Sequence, residues 1–199
     1  MTSLRHLAAA LACAAVVLPA AAQTPDRFAH AWPETDFSRV AVDLSEIRSG
    51  GPGKDGIPAL PDPAFIPAAE EDRLAPREPV LVLDIEGAPA RAYPVRYLMW
   101  HEIVNDTVGG TPVAVTFCPL CNTGIVFDRR VAGEVLEFGV SGLLRHSDMI
   151  MYDRRTESWW QQASGRAIVG DYTGERLTML PARMVGWGAF RDDHPDGRV

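Results

Sequence analysis

The chain has 199 residues, with 26 acidic and 19 basic side chains and a net charge of −7. Its cationic residues, among which Lys54 is the only lysine, do not cluster densely enough to form a phosphate-binding surface, which argues against nucleic acid as a partner. The length suits one domain with a sizeable core.

The first 22 residues predict export. Arg5 is followed by an apolar run from Leu7 to Leu18, which is too short to span a bilayer, and small residues up to Ala22 suit cleavage. We therefore expect a signal peptide over 1–22, a periplasmic or secreted mature protein and no remaining membrane span. Cleavage leaves 18 basic and 26 acidic residues, a net charge of −8. A buried N-terminal helix is the alternative.

Two further segments are distinguished by composition. Residues 23–76 are rich in Pro, Gly and charge, which predicts an extended N-terminal arm. Residues 77–199 are predicted to form the folded domain. Four apolar residues of the arm favour packing on that domain over disorder: Ile57, Leu60, Phe65 and Ile66. The sequence ends in "HPDGRV" without a recognisable closing element, as expected of a truncated C-terminus.

Short β-type runs dominate the domain. "PVLVLDI" and "APARAYPV" predict two strands joined by a tight turn, and "PVAVTF" predicts a strand that leads into two cysteines. Between them, apolar spacing in "RYLMWHEIVND" predicts a helix that ends around Asn105 and Asp106. Similar alternating runs follow the cysteines. The fold class expected is mainly β, a single domain with one or two short helices, and α+β is the second choice.

Signal-peptide cleavage would remove Cys13 and leave Cys118 and Cys121 as the only thiols. Lipidation at Cys13 is disfavoured, because few apolar residues precede it. In an oxidising compartment, such a pair tends to become a disulfide unless the thiolates are bound. A thioredoxin-type centre places a helix N-terminus after the cysteines. Here "NTGIVFDRR" predicts a strand instead, which disfavours the thioredoxin fold but leaves redox chemistry on another scaffold open.

A β-turn that carries C-P-x-C is also typical of metal sites, which need two further ligands. His101 is the first candidate, because it lies just upstream of the strand that leads to the cysteines. Glu102 is a candidate general base, and Glu102 or Asp106 could orient the imidazole. The alternative to such a site is a helix on which these polar residues simply face solvent.

His146 is the second candidate ligand. With Met149 and Met151 it suggests a copper-like set of thiolate, imidazole and thioether ligands, so zinc and copper both remain open. Alternating methionines on a strand are more often core residues, and this alternative is the stronger one.

Asp153, Arg154 and Trp160 lie in the aromatic and charged stretch "YDRRTESWWQQ". They could bind an organic cofactor or small molecule through aromatic stacking and an Arg–acid clamp. In the structural alternative the segment is a turn, and a tryptophan packs in the core. We favour that alternative for Trp159 or Trp160 and leave Asp153 and Arg154 open.

The motifs "DGIPAL", "WHEIVND", "CPLC" and "RHSDMIMYDRRTESWWQQ" together resemble the secreted bacterial and archaeal domain-of-unknown-function family three-one-seven-nine. The resemblance covers about residues 55–196 and implies no reaction. Family members typically carry Gly where this chain has Asn122, and often Asn where it has His146, which favours His101 as the ligand.

Three functions therefore remain. The leading hypothesis is a soft metal ion bound by Cys118, Cys121 and His101. The second is thiol–disulfide exchange with an exported protein or a small thiol. The third is a static disulfide in a ligand-binding domain. No nucleophile elbow, phosphate loop or dinucleotide fingerprint is present in the sequence, so enzymatic activity remains undetermined.

Overall fold

The computed structural model describes residues 26–199, and the expected signal peptide at 1–22 lies outside this range. The strands are β1 (Ile47–Ser49), β2 (Leu60–Pro61), β3 (Pro79–Leu83), β4 (Arg91–Pro94), β5 (Ile103–Val108), β6 (Thr111–Cys118), β7 (Thr123–Asp128), β8 (Arg130–Val131), β9 (Glu134–Val135), β10 (Phe138–Arg145), β11 (Asp148–Asp153), β12 (Trp159–Gln161), β13 (Arg166–Val169), β14 (Thr178–Leu180) and β15 (Ala182–Gly186). The helices are α1 (Asp26–Ala29), α2 (Val95–His101) and α3 (Trp187–Asp193), with 3-10 turns at Leu44–Glu46 and Ala68–Glu70. The expected mainly β domain with few short helices is confirmed.

The strands form three main sheets. Sheet I has the order β1-β10-β11-β12-β13, sheet II has the order β14-β7-β6-β5-β2, and sheet III has the order β15-β3-β4. Strands β8 and β9 form a separate hairpin. None of the helices in residues 26–199 is long and apolar enough to cross a membrane.

Sheet II lies between the other two sheets. One of its faces shares a core with sheet I, where Phe127 packs in the same cluster as Phe138 and Trp160. Its other face shares a core with sheet III and α2, through residues such as Val115, Leu81 and Leu98. Burial on both faces explains why β6 is an almost continuous apolar run rather than an alternating one.

The N-terminal segment covers the outer face of sheet I. Phe28, Trp32 and Phe37 each make edge-to-face contacts with the sheet I residues Trp159 or Tyr152. Further along this segment, three partly buried side chains pack on the cores beside sheet II, namely Ile57, Leu60 and Phe65. Large apolar side chains of residues 27–76 therefore extend the core.

The helix predicted to continue to Asn105 and Asp106 ends at His101, so that boundary was wrong. Glu102 has a positive φ of 57°, and Ile103 then begins a strand that pairs with β6. The apolar spacing is compatible with a helix, but the β-branched Ile103 and Val104 reach two buried cores only as strand residues.

The loop of residues 50–57 lies against β10, at a bulge between Val140 and Leu143. Gly50 donates its N–H to the Gly142 carbonyl at 2.7 Å, and Asp55 donates its N–H to the Val140 carbonyl at 2.9 Å. Gly142 has a φ of +72°, and a Cβ added there would lie 2.0 Å from the Pro52 carbonyl oxygen. Only glycine therefore allows the loop to approach β10 so closely.

Gly142→Ala is expected to lower the free energy of unfolding by about 2–4 kcal/mol, because the new methyl group displaces the loop and the residue also remains at positive φ. Urea denaturation measures the change. Gly133→Ala is the matched control, since Gly133 has a φ of +84° but no atom within 4 Å of an added Cβ. The control should lose only about 1–2 kcal/mol. Equal losses for the two variants would contradict the close approach of the loop.

Candidate metal centre

The two cysteines lie on a β-hairpin. Cys118 ends β6 and pairs with Thr123, the first residue of β7, so four residues connect the strands. Asn122 adopts a φ of +48° in this connection, a conformation that Asn tolerates better than most residues. The strand predicted after the cysteines is confirmed, and no helix N-terminus faces them in the described chain.

A second hairpin, formed by β10 and β11, brings a carboxylate to the thiols. Arg145 pairs with Asp148, leaving only His146 and Ser147 in the turn. Both turn residues have positive φ values, 53° and 64°, as in the two-residue turns that match strand twist. His is among the residue types that tolerate positive φ, so position 146 suits this turn.

The three candidate ligand groups lie close together. The Cys118 Sγ, the Cys121 Sγ and an Asp148 carboxylate oxygen all lie within 4.8 Å of one another. The Cys121 thiol donates to Asp148 Oδ1 at 3.7 Å. A sulfur and an oxygen that share a tetrahedral zinc ion, at bond lengths of about 2.3 and 2.1 Å, are about 3.6 Å apart. The cysteine–aspartate spacing therefore fits a shared ion.

Neighbouring residues orient the Asp148 carboxylate. Its Oδ2 atom accepts hydrogen bonds from Gln161 Nε2 at 2.6 Å and from the Ala163 N–H at 3.0 Å. Gln161 is itself held by Arg145, whose Nη1 donates to Gln161 Oε1 at 3.2 Å. This arrangement leaves Oδ1 directed at the thiols, as in metal sites whose ligands are fixed by surrounding hydrogen bonds.

The two thiols differ in exposure. Cys118 is buried, whereas Cys121 is exposed on the hairpin connection, and both are free. Burial, followed by the neighbouring Cys121 thiol, raises the pKa of Cys118 to about 11, although the backbone amides of Cys121 and Met149 act in the opposite direction. Without a cation, the pair therefore favours the neutral thiol at Cys118. A divalent ion would supply the missing positive charge.

His101 is not part of this cluster. Its Nδ1 atom lies 2.8 Å from the Pro58 carbonyl oxygen. The predicted orienting group Asp106 instead accepts hydrogen bonds from Arg91 and from the Tyr93 hydroxyl, the latter at 2.7 Å. The set of Cys118, Cys121 and His101 is therefore not assembled in the described chain.

Glu102, the candidate general base, contributes to the same cavity wall as one of the cysteines. It lines a cavity of about 270 Å³ together with Cys118. Burial raises the pKa of its carboxyl group above the ordinary value.

His146 also lies outside the cluster, because its position in the turn leaves the side chain exposed. Its Nε2 atom is 3.6 Å from Glu46 Oε2, and 63% of the side chain is accessible to solvent. Met149 and Met151 are buried in the core between sheets I and II. The copper-like set of Cys, His and Met is therefore not assembled.

Asp153 and Trp160 have partners inside the protein. Both are fully buried, and Trp160 donates its Nε1–H to Asp153 Oδ2 at 2.9 Å. Asp153 also accepts from the Thr156 N–H at 2.8 Å. Arg154 donates to both Asp55 carboxylate oxygens, at 2.9 and 3.0 Å. The contacts of these three residues are those of a turn, a core tryptophan and a clamp on the loop of residues 50–57.

Asp148 is the member of this cluster that the sequence did not predict. The sequence contains a signal for it, since "RHSD" predicts a turn directly before a strand and places the aspartate at the start of that strand. A two-residue turn exposes residue 146 and starts the strand at residue 148. Only the packing of sheet I on sheet II brings this strand to the cysteines.

Comparisons with known proteins agree with the resemblance seen in the sequence. Neither a curated protein nor a solved structure matches the chain. The family described as "Protein of unknown function (DUF3179)" matches residues 54–199, a range that contains both cysteines, Asp148 and Glu102. The chain, which carries this cluster within the matched range, belongs to that family.

Proposed function

We propose that this protein is exported and binds one zinc-type divalent ion through Cys118, Cys121 and Asp148. The convergence of two sulfurs and one carboxylate oxygen within 4.8 Å is the observation that carries the proposal. The basic start and short apolar run within residues 1–22 support export.

The ligand chemistry favours zinc over copper. Zn²⁺ accepts both thiolate and carboxylate ligands, whereas Cu⁺ is selected by soft sulfur ligands alone. The buried Asp148 places a hard oxygen ligand beside the two thiols. Three protein ligands also leave one tetrahedral position for water or another molecule, as in zinc sites that take part in reactions.

Thiol–disulfide exchange with an exported protein or a small thiol is the second candidate. The exposure of Cys121 beside a free Cys118 supports it, because an exchange partner needs access to one sulfur. Two observations weigh against it. The hairpin lacks the helix N-terminus that activates thioredoxin-type cysteines, and the pKa of Cys118 is raised rather than lowered.

Protein purified without a chelator is expected to contain about one equivalent of zinc per chain, because the site already positions three of the four ligands. Mass spectrometry of the metal content measures this stoichiometry. Removal of the ion with a chelator should then increase the rate at which a thiol reagent modifies Cys121, since the metal-bound thiolate is protected.

Metal-free protein with a Cys118–Cys121 disulfide would overturn the metal proposal. If that disulfide then exchanged electrons with a reduced dithiol protein, thiol–disulfide exchange would replace metal binding as the proposed function. A disulfide inert to such exchange would favour a static cross-link in a ligand-binding domain.

A further inference from the structure

The cavity beside Cys118 combines an apolar wall with one isolated carboxylate. It measures about 270 Å³, and its apolar lining includes Leu120, Val140, Leu143 and Met149. Leu120 is 67% exposed, so it provides an apolar surface on the cysteine hairpin itself. A mostly apolar cavity with a few polar groups is the usual form of a small-molecule site.

Glu102 is the isolated carboxylate. Among residues 26–199, its carboxylate has no hydrogen-bond donor and no ion-pair partner within bonding distance. It also adopts a φ of +57° between α2 and β5. Positive φ at a non-glycine residue is costly and is found more often at functional sites. The backbone is nevertheless held in place, since Phe117 donates its N–H to the Glu102 carbonyl at 2.8 Å.

The loop of residues 50–57 covers the cavity. Gly50, Pro52 and Ile57 contribute to its lining. The loop is held by Asp55, which does not line the cavity and accepts hydrogen bonds from Arg154 and from the Tyr152 hydroxyl. Charged and backbone hydrogen bonds to sheet I therefore hold this loop over the cavity.

Cys118 connects this cavity to the metal centre, because it lines the first and belongs to the second. We propose that the cavity binds a small molecule with an apolar body and a protic, metal-ligating group. That group takes the open position of the ion and donates a hydrogen bond to Glu102. The inference rests on the metal site proposed above and specifies the class of molecule that the site accepts.

Two hydroxamates serve as probes, since each ligates a metal and donates a hydrogen bond. Cobalt-loaded protein is titrated with benzohydroxamate and with acetohydroxamate, and the visible absorption of cobalt reports binding. Benzohydroxamate is expected to bind at least about tenfold more tightly, because its ring buries apolar surface that the methyl group lacks. Gel filtration after each titration shows whether the cobalt has stayed on the protein.

Two variants locate the effect in the cavity. Ile57→Trp fills the cavity from the loop side, so the two hydroxamates should then bind with about equal affinity. Glu102→Gln should weaken both probes by roughly tenfold or more, because it replaces a charge-assisted hydrogen bond with a neutral one. Glu175→Gln, at an exposed position outside the cavity, is the matched control and should leave both affinities unchanged.

The readouts separate the two proposals. Cobalt stoichiometry tests the metal site, and the ratio of the two hydroxamate affinities tests the cavity. Cobalt binding with equal affinities, unaltered by Ile57→Trp and Glu102→Gln, would overturn the ligand pocket and leave the metal function intact. Failure to bind cobalt would overturn both.

Discussion

Replacement of Asp148 by asparagine is expected to weaken zinc binding by about 100-fold or more, since loss of groups that merely orient a ligand already costs 10- to 100-fold. The amide oxygen of asparagine can still accept the hydrogen bonds from Gln161 and Ala163, so the fold should be retained. The amide nitrogen would then face the thiols, where it offers neither charge nor a metal ligand. Competition with a chromogenic chelator measures the affinity.

Asp148→Asn also separates the candidate functions, because neither thiol–disulfide exchange nor a static disulfide needs a carboxylate ligand. His146→Ala and His101→Ala are the controls, as both histidines lie outside the cluster. Each should leave the zinc affinity within about twofold of the parent protein. A large loss in His101→Ala with none in Asp148→Asn would restore the ligand set expected from the sequence and reject the one proposed here.

Asp153→Ala is expected to destabilise the protein by about 3–5 kcal/mol, because it leaves buried hydrogen-bond donors of Trp160 and Thr156 without an acceptor. Asp153 itself is fully buried, so water cannot replace the lost acceptor without rearrangement of the core. Urea denaturation followed by tryptophan fluorescence gives the change in the free energy of unfolding.

Asp171→Ala is the matched control, since Asp171 is exposed and accepts none of these hydrogen bonds. The control should remain within about 0.5 kcal/mol of the parent protein. A ligand-binding role for Asp153 would predict the opposite pattern, in which stability is nearly unchanged and binding of a small molecule is lost. A stable Asp153→Ala protein would therefore revive the cofactor site expected from the aromatic stretch.

Local sequence patterns predicted the strands well but misplaced one helix boundary. The runs at 79–83 and 91–94 form a hairpin, and β6 leads into the cysteines, as their β-branched residues indicated. The helix before β5 ended earlier than its apolar spacing suggested. That spacing is shared by a helix and by a strand buried on both faces, so only the partner strand β6 decides between them.

The candidate ligand set could be predicted only in part, for a similar reason. Cys118 and Cys121 are neighbours in the chain, so a single turn brings them together whatever the rest of the fold does. Their third partner, Asp148, is 27 residues from Cys121 and belongs to a different sheet. Its contact depends on how sheet I packs on sheet II.

The family, the mainly β class and the thiol pair on a strand–turn–strand segment could all be predicted from the residues alone. These features follow from short-range patterns, whose physical causes act within a few residues. The packing of the sheets places Asp148, rather than His101 or His146, beside the thiols, and it places Glu102 in the same cavity as Cys118. Such choices depend on burial between sheets, which couples residues far apart in the chain through the packing of whole faces.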